Sequence, residues 1–133
     1  MAWAGCGVEM VILIVEDEPK VAEGLRAYFE VSGHQVVLSD TGQEAIGLVE
    51  QQHPDVALVD LWLKDKVSGL DVLRASRQRS PKTVVIIVTG LEEDAATDEA
   101  MQAGALAVLR KPIQLDQLDD LVTHIHEQRS AKA

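Results

Sequence analysis

The sequence predicts a doubly wound α/β fold: a five-stranded parallel sheet in the order 2-1-3-4-5, with five helices divided between its two faces. Three observations carry this expectation. Val11–Val15, Val56–Val59 and Val84–Val88 are apolar at consecutive rather than alternate positions, which suits strands buried on both faces of a parallel sheet. Stretches of helical period separate them, and right-handed crossovers between parallel strands then place helices on both sides. Finally, 133 residues form one domain by length, with enough chain to bury a core without disulfides or structural metals.

Each element follows in order. After the first strand, Val21, Leu25, Tyr28 and Phe29 recur at i, i+4, i+7 and i+8, the apolar stripe of a first helix. Ser32-Gly33-His34 turns the chain into a second strand, Gln35–Leu38, and Asp40 or Thr41 caps a second helix, Gly42–Gln52. The third strand leads to a helix with Leu70 and Leu73 on its inner face. The fourth leads to a helix whose Glu92, Glu93, Asp94, Asp98 and Glu99 form a solvated face; it offers mostly alanine to the core, which predicts weak anchoring and mobility. Gly104 precedes a short fifth strand, Ala107–Leu109, and Leu115, Leu118, Leu121, Val122 and Ile125 line the last helix. The expected domain spans 10–127, with a flexible extension at 1–9, where Met10 is a second candidate start, and a short tail at 128–133.

Composition narrows the function. Twelve Lys and Arg against 22 Asp and Glu give a net charge of −10 with no basic run, so the chain lacks the electrostatic footprint of a nucleic-acid binder. Cys6 is the single cysteine and excludes an internal disulfide. Residues 1–9 lack the basic and apolar regions of a signal peptide, and no stretch approaches the ~18 apolar residues of a membrane span. A cytoplasmic protein without membrane contact is expected. His34, His53, His124 and His126 are scattered, and the last two, at i and i+2, share no helical face, so they are read as structural rather than as metal ligands.

In a doubly wound sheet, ligands sit beyond the carboxyl ends of the strands where the strand order reverses. Polar residues stand there: Glu16 and Asp17 after the first strand, Asp60 after the third, Thr89 after the fourth and Lys111 after the fifth. Any one of them is explained by the need to end a strand. The set is not, because three neighbouring carboxylates repel unless a cation lies between them, and a hard divalent ion such as Mg2+ takes oxygen ligands. A lysine and a hydroxyl beside them suit the chemistry of an acyl phosphate.

On these residues the chain resembles the receiver domain of two-component response regulators, of the chemotaxis-regulator type with its flavodoxin-like fold, over Met10 to Glu127. Glu16-Asp17 is similar to the family's acidic pair, Asp60 to its phosphoacceptor, Thr89 to its switch hydroxyl and Lys111-Pro112 to its lysine and following proline; Ser68-Gly69-Leu70 and Ala100–Ala105 also match family segments. The resemblance implies Mg2+ ligated by Asp17, Asp60 and the backbone carbonyl of Trp62, with Glu16 acting through water. It implies a phosphohistidine donor on a sensor histidine kinase or histidine phosphotransfer protein, and output through the fourth helix, fifth strand and fifth helix. The protein would then be a phosphoacceptor rather than an enzyme. The Lys111-Pro112 bond is expected to be cis.

Three departures stand out. Lys64 and Ser68 occupy positions where the family commonly has proline and glycine, so the loop Leu61–Ser68 is one residue longer. Val108 replaces the aromatic residue three before the lysine, and a switch that turns a ring inward cannot operate there. No output domain follows the last helix, as in a stand-alone receiver or an excised domain. Trp62 is either a docking aromatic or a loop anchor. A haloacid-dehalogenase-type phosphohydrolase would need an acid where Trp62 stands, and no G-x-x-x-x-G-K-S/T run exists for a P-loop. The remaining alternative is a phosphorylation-independent interaction module.

Overall fold

The computed structural model describes residues 10–90 and 94–132. The extension at 1–9 lies outside these residues, as do Glu92 and Glu93 of the acidic face. Strands β1 (Val11–Val15), β2 (Gln35–Ser39), β3 (Val56–Asp60), β4 (Val84–Thr89) and β5 (Ala107–Arg110) alternate with helices α1 (Pro19–Val31), α2 (Gly42–Gln52), α3 (Gly69–Arg79), α4 (Asp94–Gln102) and α5 (Leu115–Lys132). All strand pairs are parallel, in the predicted order β2-β1-β3-β4-β5. Each of β2 to β5 runs one residue further than the apolar run, because pairing continues through Val15↔Ser39, Asp60↔Val88 and Thr89↔Arg110. Asp60 and Thr89 are therefore strand residues, held by the ladder.

Alternate side chains of each strand point to opposite faces and build two cores. Leu13, Val15, Ala57, Val59, Val85 and Ile87 pack with Ala45, Val49, Val72, Leu73 and Ala100 of α2, α3 and α4. Ile12, Ile14, Val56, Leu58, Ile86 and Val88 pack with Leu25, Phe29, Leu118, Val122 and Ile125 of α1 and α5. Full burial of a Val, Leu, Ile or Phe side chain contributes about 1.5–3 kcal/mol, which is what holds the sheet between its helices.

Helix ends follow local chemistry. Pro19 opens α1, where its missing N–H costs nothing. Thr41 rather than Asp40 caps α2, its hydroxyl accepting from the Glu44 N–H at 3.2 Å. Ser68 and Asp71 form a reciprocal capping box at the start of α3. The expected tail from Gln128 is instead helical as far as Lys132. Glu127, Gln128 and Arg129 are good helix formers, and the Arg129 guanidinium donates to the carbonyl of Asp55 at 3.1 Å. Among the described residues, no helix is long and apolar enough to cross a membrane.

Candidate functional site

The strand order reverses between β1 and β3, and the carboxyl ends of the strands form the crevice there. Asp60, the last residue of β3, is only 6% exposed. One of its carboxylate oxygens accepts from the Trp62 N–H at 3.2 Å and the other from the Lys111 ammonium at 2.8 Å. Lys111 also stands 3.3 Å from the carboxylate of Glu16, which is 5% exposed and accepts from the Glu18 N–H at 3.1 Å. Asp17 completes the cluster: Glu16, Asp17 and Asp60 each offer a carboxylate oxygen within 4.8 Å of the others.

Three adjacent turns aim these groups. The Lys111 N–H donates to the Thr89 carbonyl at 2.8 Å, which holds Lys111 beside the end of β4, and the Lys111-Pro112 bond is cis, as expected. Gly90 lies over the aliphatic stem of Lys111; a Cβ there would meet its Cδ at 3.8 Å. The Thr89 side chain is buried at the end of its strand. On the other side, the Glu16 N–H donates to the Ser39 carbonyl at 3.0 Å, which fixes the backbone just beyond β1.

Electrostatics follow from this packing. Burial raises the Glu16 carboxyl above the ordinary value; the Glu18 N–H opposes that, the charge of Asp60 adds to it and Lys111 again opposes it. Burial works to lower the Lys111 ammonium, but hydrogen bonding and charge from Asp60, then from Glu16, outweigh it and raise the pKa. Lys111 is thus charged at neutral pH. Three carboxyl groups gathered beside one ammonium make a set of hard oxygen donors, which fits a divalent cation.

A larger concavity of about 550 Å3 lies at the opposite end of the sheet, lined by residues that include Val84, Leu106, His124, Ile125 and Arg129. Its polar lining comes from Lys82, His124, Gln128 and Arg129, and no carboxylate is among its lining residues. The three-carboxylate cluster is at the carboxyl ends of the strands.

A sequence model of the response regulator receiver domain matches residues 12–123. The chain belongs to the response regulator receiver family. It is 32% identical over 121 residues to the regulatory protein AtoC of Escherichia coli, covering 91% of this chain and 26% of that protein. It is 34% identical over 115 residues to a cyclic di-GMP phosphodiesterase of Thermotoga maritima, covering 86% of this chain and 30% of that one. A response regulator receiver domain protein from Clostridium thermocellum superposes with a TM-score of 0.85 at 25% identity, over 93% of this chain and 99% of that one. The chain spans less than half the length of the curated relatives it matches.

As a receiver, the chain shows how its departures are accommodated. Gly69 approaches the Asp60 backbone so closely that a Cβ would stand 2.4 Å from the Asp60 carbonyl oxygen, so the glycine nine residues after Asp60 supplies the close approach and Ser68 is free to cap α3. Trp62 is 50% exposed; Leu61, buried, and Leu63 and Val67, packed against the core, anchor the loop instead. Val108 packs with the core formed partly by Ala100. His34 and His53 serve structure: the first accepts from the Met10 N–H at 3.2 Å, and the second lies 3.0 Å from the Ser80 hydroxyl. Motif reading passed over Asp65, whose carboxylate accepts from the Gly42 and Gln43 N–H groups at 3.0 and 3.1 Å. Its signal was the opening turn of α2, which has more N–H groups than Thr41 alone can satisfy.

Proposed function

We propose that this receiver accepts a phosphoryl group on Asp60 from a phosphohistidine of a sensor histidine kinase or histidine phosphotransfer protein in the cytoplasm. Glu16, Asp17, Asp60 and the Trp62 carbonyl would hold Mg2+. The observation that supports this most directly is the Lys111 ammonium placed between Asp60 and Glu16 with a third carboxylate, Asp17, alongside. When bound, Mg2+ supplies charge neutralisation and alignment for the phosphoryl oxygens.

A carboxylate oxygen of Asp60 attacks phosphorus; the P–N bond to histidine breaks and its electron pair stays with the imidazole. Lys111 moves from pairing with the carboxylate to pairing with a phosphoryl oxygen, offsetting charge that spreads over the transferring group. Thr89 then donates its hydroxyl to another phosphoryl oxygen. That movement draws the segment after β4 toward the phosphate and shifts a two-state equilibrium of α4, β5 and α5, changing affinity for a partner or output domain. The protein is a phosphoacceptor that catalyses its own transfer and hydrolysis, with no turnover substrate. The complete acidic, hydroxyl and lysine set counts against a module that works without phosphate.

Transfer of radiolabel from a phosphorylated kinase tests this. Hydroxylamine-sensitive label that appears with Mg2+ and fails to appear in chelator supports the reading. No label under either condition, with partner binding intact, would establish the interaction module.

A further inference from the structure

We infer that Asp65 is a positioning residue for the cation site: it ties the loop carrying the Trp62 carbonyl to the same helix end that is fastened to the backbone of Glu16. The inference rests on the cation reading proposed above and adds a residue to it.

The loop Leu61–Ser68 is pinned at both ends. Leu61 donates its N–H to Val88 at 2.8 Å and accepts from the Gly69 N–H at 2.9 Å, and Trp62 donates to Asp60. Between them, Lys64 and Lys66 are exposed, and Trp62 is half exposed. Asp65 crosses to α2, one carboxylate oxygen accepting from Gly42 at 3.0 Å and the other from Gln43 at 3.1 Å. Val67 closes the seam, so tightly that a Cβ on Gly42 would stand 2.5 Å from its carbonyl oxygen.

These bonds complete the first turn of α2. Thr41 satisfies Glu44 through its hydroxyl and Ala45 through its carbonyl, leaving Gly42 and Gln43 to Asp65. The same turn is fastened to the β1 side, because the Ser39 hydroxyl donates to the Thr41 carbonyl at 2.9 Å while the Ser39 carbonyl accepts from Glu16. The two arms of the cation site, Glu16-Asp17 and the Trp62 segment, are thus registered through one helix end. A residue that orients a ligand from behind alters cation affinity, whereas one that only caps a helix alters stability.

Titration with Mn2+, following the EPR signal of the free ion and its competition by Mg2+, separates these roles. Asp65→Ala is expected to weaken Mn2+ binding roughly tenfold. Asp65→Asn keeps one acceptor and recovers part of that loss. Ser80→Ala removes the buried hydroxyl that meets His53 and Thr83 at the opposite end of the sheet, and should lower the melting temperature while leaving Mn2+ affinity unchanged. Wild-type affinity in Asp65→Ala overturns the inference, as does an equal loss of affinity in Ser80→Ala. Wild-type protein that binds no Mg2+-displaceable Mn2+ overturns the cation reading itself, and this inference with it.

Discussion

The Lys111 ammonium lies between two buried carboxylates, 2.8 Å from Asp60 and 3.3 Å from Glu16. Without a metal it is the counter-charge for both. Lys111→Met should therefore destabilise the metal-free protein by about 1–3 kcal/mol, since it leaves buried charge uncompensated. The raised folded pKa makes this contribution full below the unfolded value of 10.5 and lost as pH rises through the folded one. Denaturation in chelator should show the gap between wild type and variant closing above pH 10.5. A gap that persists there would mean that packing of the lysine stem, not its charge, is what stabilises.

Two glycines should respond with opposite sign. Gly24, exposed within α1, has nothing within 4 Å of an added Cβ, so Gly24→Ala should stabilise by about 0.5–1 kcal/mol. Gly69→Ala would press a methyl group 2.4 Å from the Asp60 carbonyl oxygen and should cost about 1–3 kcal/mol. Urea melts of the two variants check both signs.

Asp65 sets an acid limb. Hydrogen bonds from Gly42 hold its carboxyl below the ordinary value, with burial opposing and Gln43 and neighbouring N–H groups adding to the effect. Because the folded pKa is depressed, the contribution is present above the unfolded value of 3.8 and lost as pH falls through the folded one. Asp65→Asn should be less stable than wild type at neutral pH, with the difference shrinking below pH 3.8. A difference constant across that range would remove the role of the charge.

Output should run through α4. Position 108 carries valine in place of an aromatic ring, and α4 fully buries only Ala100 among its described residues, with a half-exposed ion pair from Glu99 to Arg74 of α3. Such a pair adds little stability. A phosphoryl mimic should change hydrogen exchange in residues 94–102 more than in β5. Changes confined to β5 and α5 would show another route.

Much of this was legible in the sequence because it is local or periodic. The consecutive valines, leucines and isoleucines of β1, β3 and β4 announced a buried parallel sheet, and a polar residue at each strand end announced the crevice. Strand ends were read one residue short, since hydropathy stops at Val59 and Val88 while backbone pairing carries on through Asp60 and Thr89. The last turns of α5 were missed because Arg129 is held by the Asp55 carbonyl, a partner 74 residues away in sequence. Asp65 was missed for the same reason: its partners lie 22 and 23 residues upstream, and no periodic pattern links a loop carboxylate to a distant helix end.

Mass spectrometry after incubation with a small phosphodonor and Mg2+ tests the central claim most directly. Wild-type protein should gain one hydroxylamine-sensitive phosphoryl group mapping to Asp60, the gain should vanish in chelator, and Asp60→Asn should remain folded and unmodified. Phosphoryl incorporation that survives in Asp60→Asn, or that maps to another residue of the wild-type chain, would contradict the assignment.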